Sequence, residues 1–188
     1  MSITITGKDD LLLQNLLIFY QNPLYLNIFT EIVVQGQHIS LRLLDYFSTN
    51  YSKYHKVYIR DECTDVYTDY KRHLKGYKKQ YFDPFCRRKR VVINAKDPSI
   101  NLVRDKEKMM KQNGINLSYT YTINPNNKKQ DKGSKDLEVI TTVGQLNFFR
   151  WCINNGVIQY ILKHHAEIEE CMTKNKTIRK KKCKVNTN

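Results

Sequence analysis

The sequence predicts an α+β fold: an N-terminal helical portion, a small antiparallel sheet in the middle, and a C-terminal helix pair followed by a disordered basic tail. Three observations predict it. Apolar residues recur at helical spacing in the first fifty residues and again after Thr142. Short β-branched or alternating runs (RVVI, LSYTYTI, LEVIT) gather between them. After Glu170 there is no further acid, and cations dominate. At 188 residues and 40% hydrophobic content the chain can bury a core. Residues 1–172 are therefore expected to form one domain, with 1–52 its helical subregion, and 173–188 the tail.

Asp9 or Asp10 can cap a first helix carrying Leu11, Leu12, Leu13, Leu16, Leu17 and Tyr20. It is apolar on most sides and should be buried. Asn22-Pro23 breaks it. A second helix is predicted over 24–34, stopping at Gly36, and Ser40 caps a third over 41–51. Helix-turn-helix also describes a DNA-reading motif, but the third helix offers only Arg42 as a cation, too few for a recognition helix.

Residues 55–60 can be a strand. Tyr67, Tyr70, Leu74, Tyr77 and Tyr81 then form one aromatic stripe at helical spacing. Gly76 within that helix costs about 1 kcal/mol relative to alanine. Asp83-Pro84 is a turn, and 90–93 a strand. A short charged helix is expected over 104–111. Strands at 117–123 and 137–141 can pair as a hairpin across a solvated loop, 124–135. Thr142 and Gln145 make a capping-box pair. The helix they open carries Leu146, Phe149, Arg150 and Ile153 on one side and ends at Asn154-Asn155-Gly156. The next helix, from Val157, points Ile158, Ile161, Leu162, Ile168 and Met172 inward. The stretches after Ser40 and Thr142 echo each other, which chance or shared helix grammar explains.

The net charge is +14, with a pI near 9.5. Residues 1–50 hold only Lys8 and Arg42 against Asp9, Asp10, Glu31 and Asp45, so the cationic excess lies in the middle and the tail. Its densest part packs Lys71, Arg72, Lys75, Lys78, Lys79, Arg87, Arg88, Lys89 and Arg90 around the single acid Asp83, with aromatics between. Cations with interleaved aromatics suit a phosphate backbone. These residues, with Lys180, Lys181 and Lys182 of the tail, are the candidate nucleic-acid contacts. A charge run is ordinarily a solvated face; density and agreement with the net charge tip this one towards binding. The tyrosine stripe is read as core-facing, and Phe82 and Phe85 as packing residues. On a strand, Arg87 and Lys89 would face one way and Arg88 and Arg90 the other. The same cations fit a nuclear-import pattern, a weak signal.

No CxxC, HxxxH or compact Cys/His cluster occurs; His164-His165 with Cys171 is the nearest grouping, so no metal is expected. No phosphate-cradling GxxxxGK, GxGxxG or GxSxG is present. Asp83, before a proline, reads as a turn former. No catalytic residue and no cofactor is expected. The odd number of widely spaced cysteines, without a hydrophobic leader or a membrane-length run, reads as free thiols in a reducing compartment.

Three segments, residues 39–57, 66–93 and 140–161, resemble a family of uncharacterised proteins of giant viruses and other nucleocytoplasmic large DNA viruses. FDPFCRR and TTVGQLNFFRW carry the resemblance most specifically. It covers 39–172, with 96–135 looking like an insertion and the tail outside it. It implies a virion or a host-cytoplasmic virus factory as the setting, and assigns no catalytic residue. The function expected is that of a non-enzymatic viral nucleic-acid-binding protein, in genome packaging or transcription, with DNA ahead of RNA as the partner. The alternative is a protein–protein interaction or scaffold module of a factory or virion. Residues 10–50 are the candidate surface for homo-oligomerisation, and no membrane span is expected.

Overall fold

Asn22 and Pro23 set the first corner of the chain. The computed structural model describes residues 8–35, 39–94, 100–102 and 138–185. Helix α1 (Lys8–Tyr20) ends before them. The Asn22 side chain accepts a hydrogen bond from the Leu24 amide at 3.0 Å, and Pro23 opens α2 (Pro23–Thr30). Ser40 does the same for α3 (Leu41–Tyr46), its hydroxyl accepting from the Leu43 amide at 3.1 Å.

Neither predicted helix stays regular to its end. α2 runs into a π-helical turn, Glu31–Gln35, and α3 into another, Phe47–Tyr51, followed by the single turn α4 (Ser52–Tyr54). In the second turn the hydroxyls of Ser48 and Thr49 donate to the Leu44 and Asp45 carbonyls at 2.9 and 2.7 Å. They compete with the backbone amides for those acceptors.

The strand expected over 55–60 is a minimal hairpin, β1 (Tyr58–Ile59) against β2 (Glu62–Cys63). Its two turn residues, Arg60 and Asp61, both have positive φ, 55° and 65°, the geometry that matches strand twist.

The long helix read across the tyrosine stripe is two helices, α5 (Val66–Tyr77) and α6 (Lys79–Phe82). Lys78 separates them at φ 65°, ψ 161°. The strand read through 87–90 begins only at Arg90, because Lys89 adopts φ 53°. This strand, β3 (Arg90–Asn94), is central in an antiparallel sheet of order β4-β3-β5, flanked by β4 (Ile100–Leu102) and β5 (Glu138–Thr142). Val91 pairs with Thr141 and Ile93 with Val139. So the LEVIT segment pairs with RVVI; the LSYTYTI strand, the 104–111 helix and the 124–135 loop lie outside the described residues.

Thr142 caps α7 (Val143–Asn154), its hydroxyl accepting from the Gln145 amide at 3.1 Å. The Gln145 side-chain oxygen accepts from the Thr141 hydroxyl at 2.6 Å. Gly156, at φ 67°, ends α7 as the NNG signal predicts. α7 is buried almost all round, and Arg150 and Asn154 are its outlets. Around it lie α1, whose Tyr20 hydroxyl donates to the Leu146 carbonyl at 2.8 Å, and an aromatic cluster of Tyr70, Phe82, Phe148 and Trp151. Aromatic pairs of this kind add about 0.5–1.5 kcal/mol beyond their buried area.

The C-terminal unit differs from the expected pair plus tail. His164 divides it into α8 (Val157–Lys163) and α9 (His165–Val185). That break takes Leu162 out of phase with Ile168 and Met172, leaving it 49% exposed rather than inward. α9 continues through the segment expected to be disordered. No glycine or proline follows Gly156, lysine and arginine are good helix formers, and Glu170 pairs with Lys174 one turn on. Tyr51 donates to Glu167, and Asn175 donates to the Tyr46 hydroxyl at 2.6 Å, so α9 docks on the α3 segment.

Candidate nucleic-acid interface

Asp65 starts α5, its carboxylate accepting from the Thr68 amide at 3.0 Å. The bonds from Thr68 hold that carboxyl below its ordinary range. From there the helical repeat sorts the side chains. Val66 and Tyr70 are buried, and His73, Leu74 and Tyr77 half-buried, with Tyr70, His73 and Tyr77 touching α7. Lys71, Arg72 and Lys75 are exposed on the opposite face. Of the stripe, Tyr70, Leu74, Tyr77 and Tyr81 belong to the core or pack against it, as read, whereas Tyr67 lies on the cationic side. Tyr70 is pushed above the ordinary tyrosine range, chiefly by burial and then by the charges of Asp45 and Asp83.

The cationic face extends past the helix. Lys78 and Lys79 are exposed at the α5–α6 junction, with Lys79 Nζ 3.6 Å from the Asp83 carboxylate. The Asp83-Pro84 turn forms as expected: the Asp83 side chain accepts from the Phe85 amide at 2.8 Å and its carbonyl from the Cys86 amide at 3.1 Å. Phe82 is fully buried in the aromatic cluster, whereas Phe85 is 51% exposed and does not pack. Arg87, Arg88 and Lys89 are all exposed and Arg90 is half-buried. Since residues 87–89 are not strand, they do not alternate between two faces; three cations reach solvent together. Lys89 Nζ lies 5.8 Å from the Tyr81 ring centre, and its carbonyl accepts from the Val143 amide at 3.0 Å, tying the loop to α7. The side chains of Lys180, Lys181 and Lys182 lie outside the described set.

Lys53 was not legible as part of this face. Its Nζ lies 5.6 Å from the Tyr67 ring centre, and Lys71 Nζ lies 5.5 Å from the same centre. Only the docking of α4 against α5 brings Lys53 there. One acid answers it from below. Asp45, half-buried, has its carboxyl pushed up to about 6, first by burial and then by the Asp83 charge, with Lys71 pulling it down.

The other carboxylate of α5 is committed to structure: Trp151 Nε1 donates to Asp69 at 2.7 Å. Among the described residues no group of three or more His, Cys, Asp or Glu side chains could hold a metal ion, and no helix is long and apolar enough to cross a membrane.

A family of unknown function (DUF7197) matches the chain over residues 3–110 and 111–188. The match reaches further than the resemblance read from the sequence, into the N-terminal residues and the tail, and it divides inside the segment read as an insertion. An uncharacterized protein, L507, of Acanthamoeba polyphaga mimivirus is 36% identical over 148 residues, which is 74% of this chain and 44% of that protein. The chain therefore spans less than half the length of this curated relative. No solved structure matches. The kinship with uncharacterised viral proteins stands on these matches.

Proposed function

Since the chain belongs to that family of unknown function, its activity has to be argued from its own surface, and we propose that it is a non-enzymatic nucleic-acid-binding protein gripping the phosphate backbone. One observation carries the reading. Lys71, Arg72, Lys75, Lys78, Lys79, Arg87, Arg88 and Lys89 are all exposed along one continuous stretch, α5 to the start of β3, while Tyr70 and Phe82 are turned into the core. Backbone-type binding follows from that division. The rings of Tyr70 and Phe82 are engaged in packing, whereas the cations reach solvent and can displace counterions from a duplex. DNA stands ahead of RNA, and genome packaging or transcription in a virion or cytoplasmic factory is the setting.

Fluorescence anisotropy with duplex DNA, single-stranded DNA and RNA across a salt series tests this. The comparison protein carries Lys75→Ala, Lys78→Ala, Arg87→Ala and Arg88→Ala. If those four each neutralise a phosphate, the slope of log affinity against log salt falls by about 3–4. Absence of binding to any nucleic acid at low salt removes the reading.

A second reading rests on Leu11, Ile18 and Leu24, which are 48%, 59% and 61% exposed on α1 and α2. That apolar surface favours self-association or a protein partner. A monodisperse monomer in sedimentation velocity at high protein concentration would remove the self-association half of it.

A further inference from the structure

Between α1, α5 and α7 lies a cleft of about 440 Å³, within the usual range for small-molecule sites of roughly 300–1,000 Å³. Arg150 is the one permanently charged side chain in its lining, and no carboxylate lines it. The guanidinium is held by neutral acceptors: Nη2 donates to Asn147 Oδ1 at 2.7 Å and to the Tyr77 hydroxyl at 3.4 Å. Asn147 is itself fixed, 1% exposed, with Nδ2 donating to the Tyr81 carbonyl at 2.9 Å. Nε and Nη1 of Arg150 donate to no described residue. A guanidinium oriented by neutral groups, with donors unspent and no acid opposite, is built to receive an anion.

The remaining walls are of two kinds. Ile18, Phe19 and the half-buried Tyr77 ring offer apolar and aromatic surface, Phe19 being itself stacked on Tyr25 at 4.5 Å and Tyr77 on Phe82 at 6.0 Å. Asn15 and Asn154 offer side-chain amides that make no hydrogen bond with any described residue. Amides of this type complement the donor–acceptor edge of a base, and aromatic faces accept its plane. We propose that this cleft binds one nucleotide unit, with the phosphate on Arg150 and the base between the α1 wall and Tyr77. Asn147 is a positioning residue for the guanidinium. The unit has two sources: a free mononucleotide, or an unstacked residue of a single strand. The strand form rests on the nucleic-acid reading above; the free form does not.

Trp151, the chain's single tryptophan, lies in the cleft wall and also packs in the aromatic cluster, so its emission is read against the Arg150 and Ile18 variants that touch the cleft. Its emission is followed in the full chain during titration with mononucleotides, with a short single strand, with a nucleoside, and with inorganic phosphate. Saturable change is expected with mononucleotides or the strand. Arg150→Gln should weaken it by about tenfold or more, the worth of a charge-assisted hydrogen bond. Ile18→Glu, at a position 59% exposed and so harmless to folding, should weaken it similarly by filling the apolar wall and opposing the phosphate. Saturation by mononucleotides without any polynucleotide binding supports the free form while the backbone reading falls. Salt-dependent polynucleotide binding with unchanged Trp151 emission, and no effect of Ile18→Glu, overturns the cleft while the backbone reading stands. Inorganic phosphate acting as strongly as the nucleotides also overturns it, because the base would then contribute nothing.

Discussion

Gly144 rests directly on the backbone of Asp83. A Cβ at Gly144 would stand 2.9 Å from the Asp83 carbonyl oxygen, 3.2 Å from that of Gln80 and 3.3 Å from the Phe82 amide nitrogen. The two segments that most resemble the viral family, FDPFCRR and TTVGQLNFFRW, therefore meet at a contact only glycine permits. Backbone faces backbone here, so neither side can yield by a rotamer change.

Gly144→Ala is accordingly expected to destabilise by about 1–3 kcal/mol, the usual cost of overpacking, which outweighs a helix-propensity gain of up to about 1 kcal/mol. Gly76→Ala should do the opposite. Nothing lies within 4 Å of its added methyl, so the propensity gain of about 1 kcal/mol is uncontested. Urea titrations of both variants measure the difference. Equal stability of the two would show that the α6–α7 approach is looser than these distances require.

Lys78 sits where glycine would be expected. Its φ of 65° with ψ of 161° belongs to a region that only glycine enters without strain, at a cost of about 1–3 kcal/mol. Lys78→Gly should therefore raise stability by about 1–2 kcal/mol, while Lys78→Ala, which removes the same charge and keeps the strain, should not. Both should lose the same increment of salt-dependent nucleic-acid affinity. Thermal melts of the pair separate backbone relief from charge removal, and a gain shared by both variants would assign it to charge.

This position shows where sequence reading stopped. Periodicity found the helices, because Tyr70, Leu146, Phe149 and Ile168 repeat on the buried faces they occupy. Caps and breaks at Asn22, Ser40, Thr142 and Gly156 were also legible, since each uses a residue whose side chain or backbone freedom announces its role. The break at Lys78 and the reversal at Lys89 were not, because tertiary contacts impose positive φ on residues that advertise none. The β1–β2 turn failed likewise: Arg60-Asp61 carries no Asn-Gly signal. Of the candidate interface, the cations of α5 and the turn were readable from local density. Lys53 and the Arg150 cleft were not, because each depends on elements brought together from distant parts of the chain.

Asp45 gives the face a pH dependence. Its folded-state value of about 6 exceeds the ordinary 3.8, with burial the main cause, so the folded chain holds this proton more tightly than the unfolded one. The group thus favours folding at low pH, and that contribution is lost as pH rises from about 4 to about 6. Above that window the native state carries a half-buried carboxylate near Asp83. Discounted for partial exposure, the penalty is about 1–2 kcal/mol. Asp45→Asn should therefore be more stable than the parent by about that amount at pH 7 and equal to it near pH 4. With the acid gone from beside Lys71, nucleic-acid affinity at neutral pH should rise as well, and the parent should approach the variant below pH 6. Denaturant titrations and anisotropy at pH 4.5, 6 and 7.5 check both limbs. A stability difference that does not change with pH would show that the Asp45 carboxyl is not the titrating group.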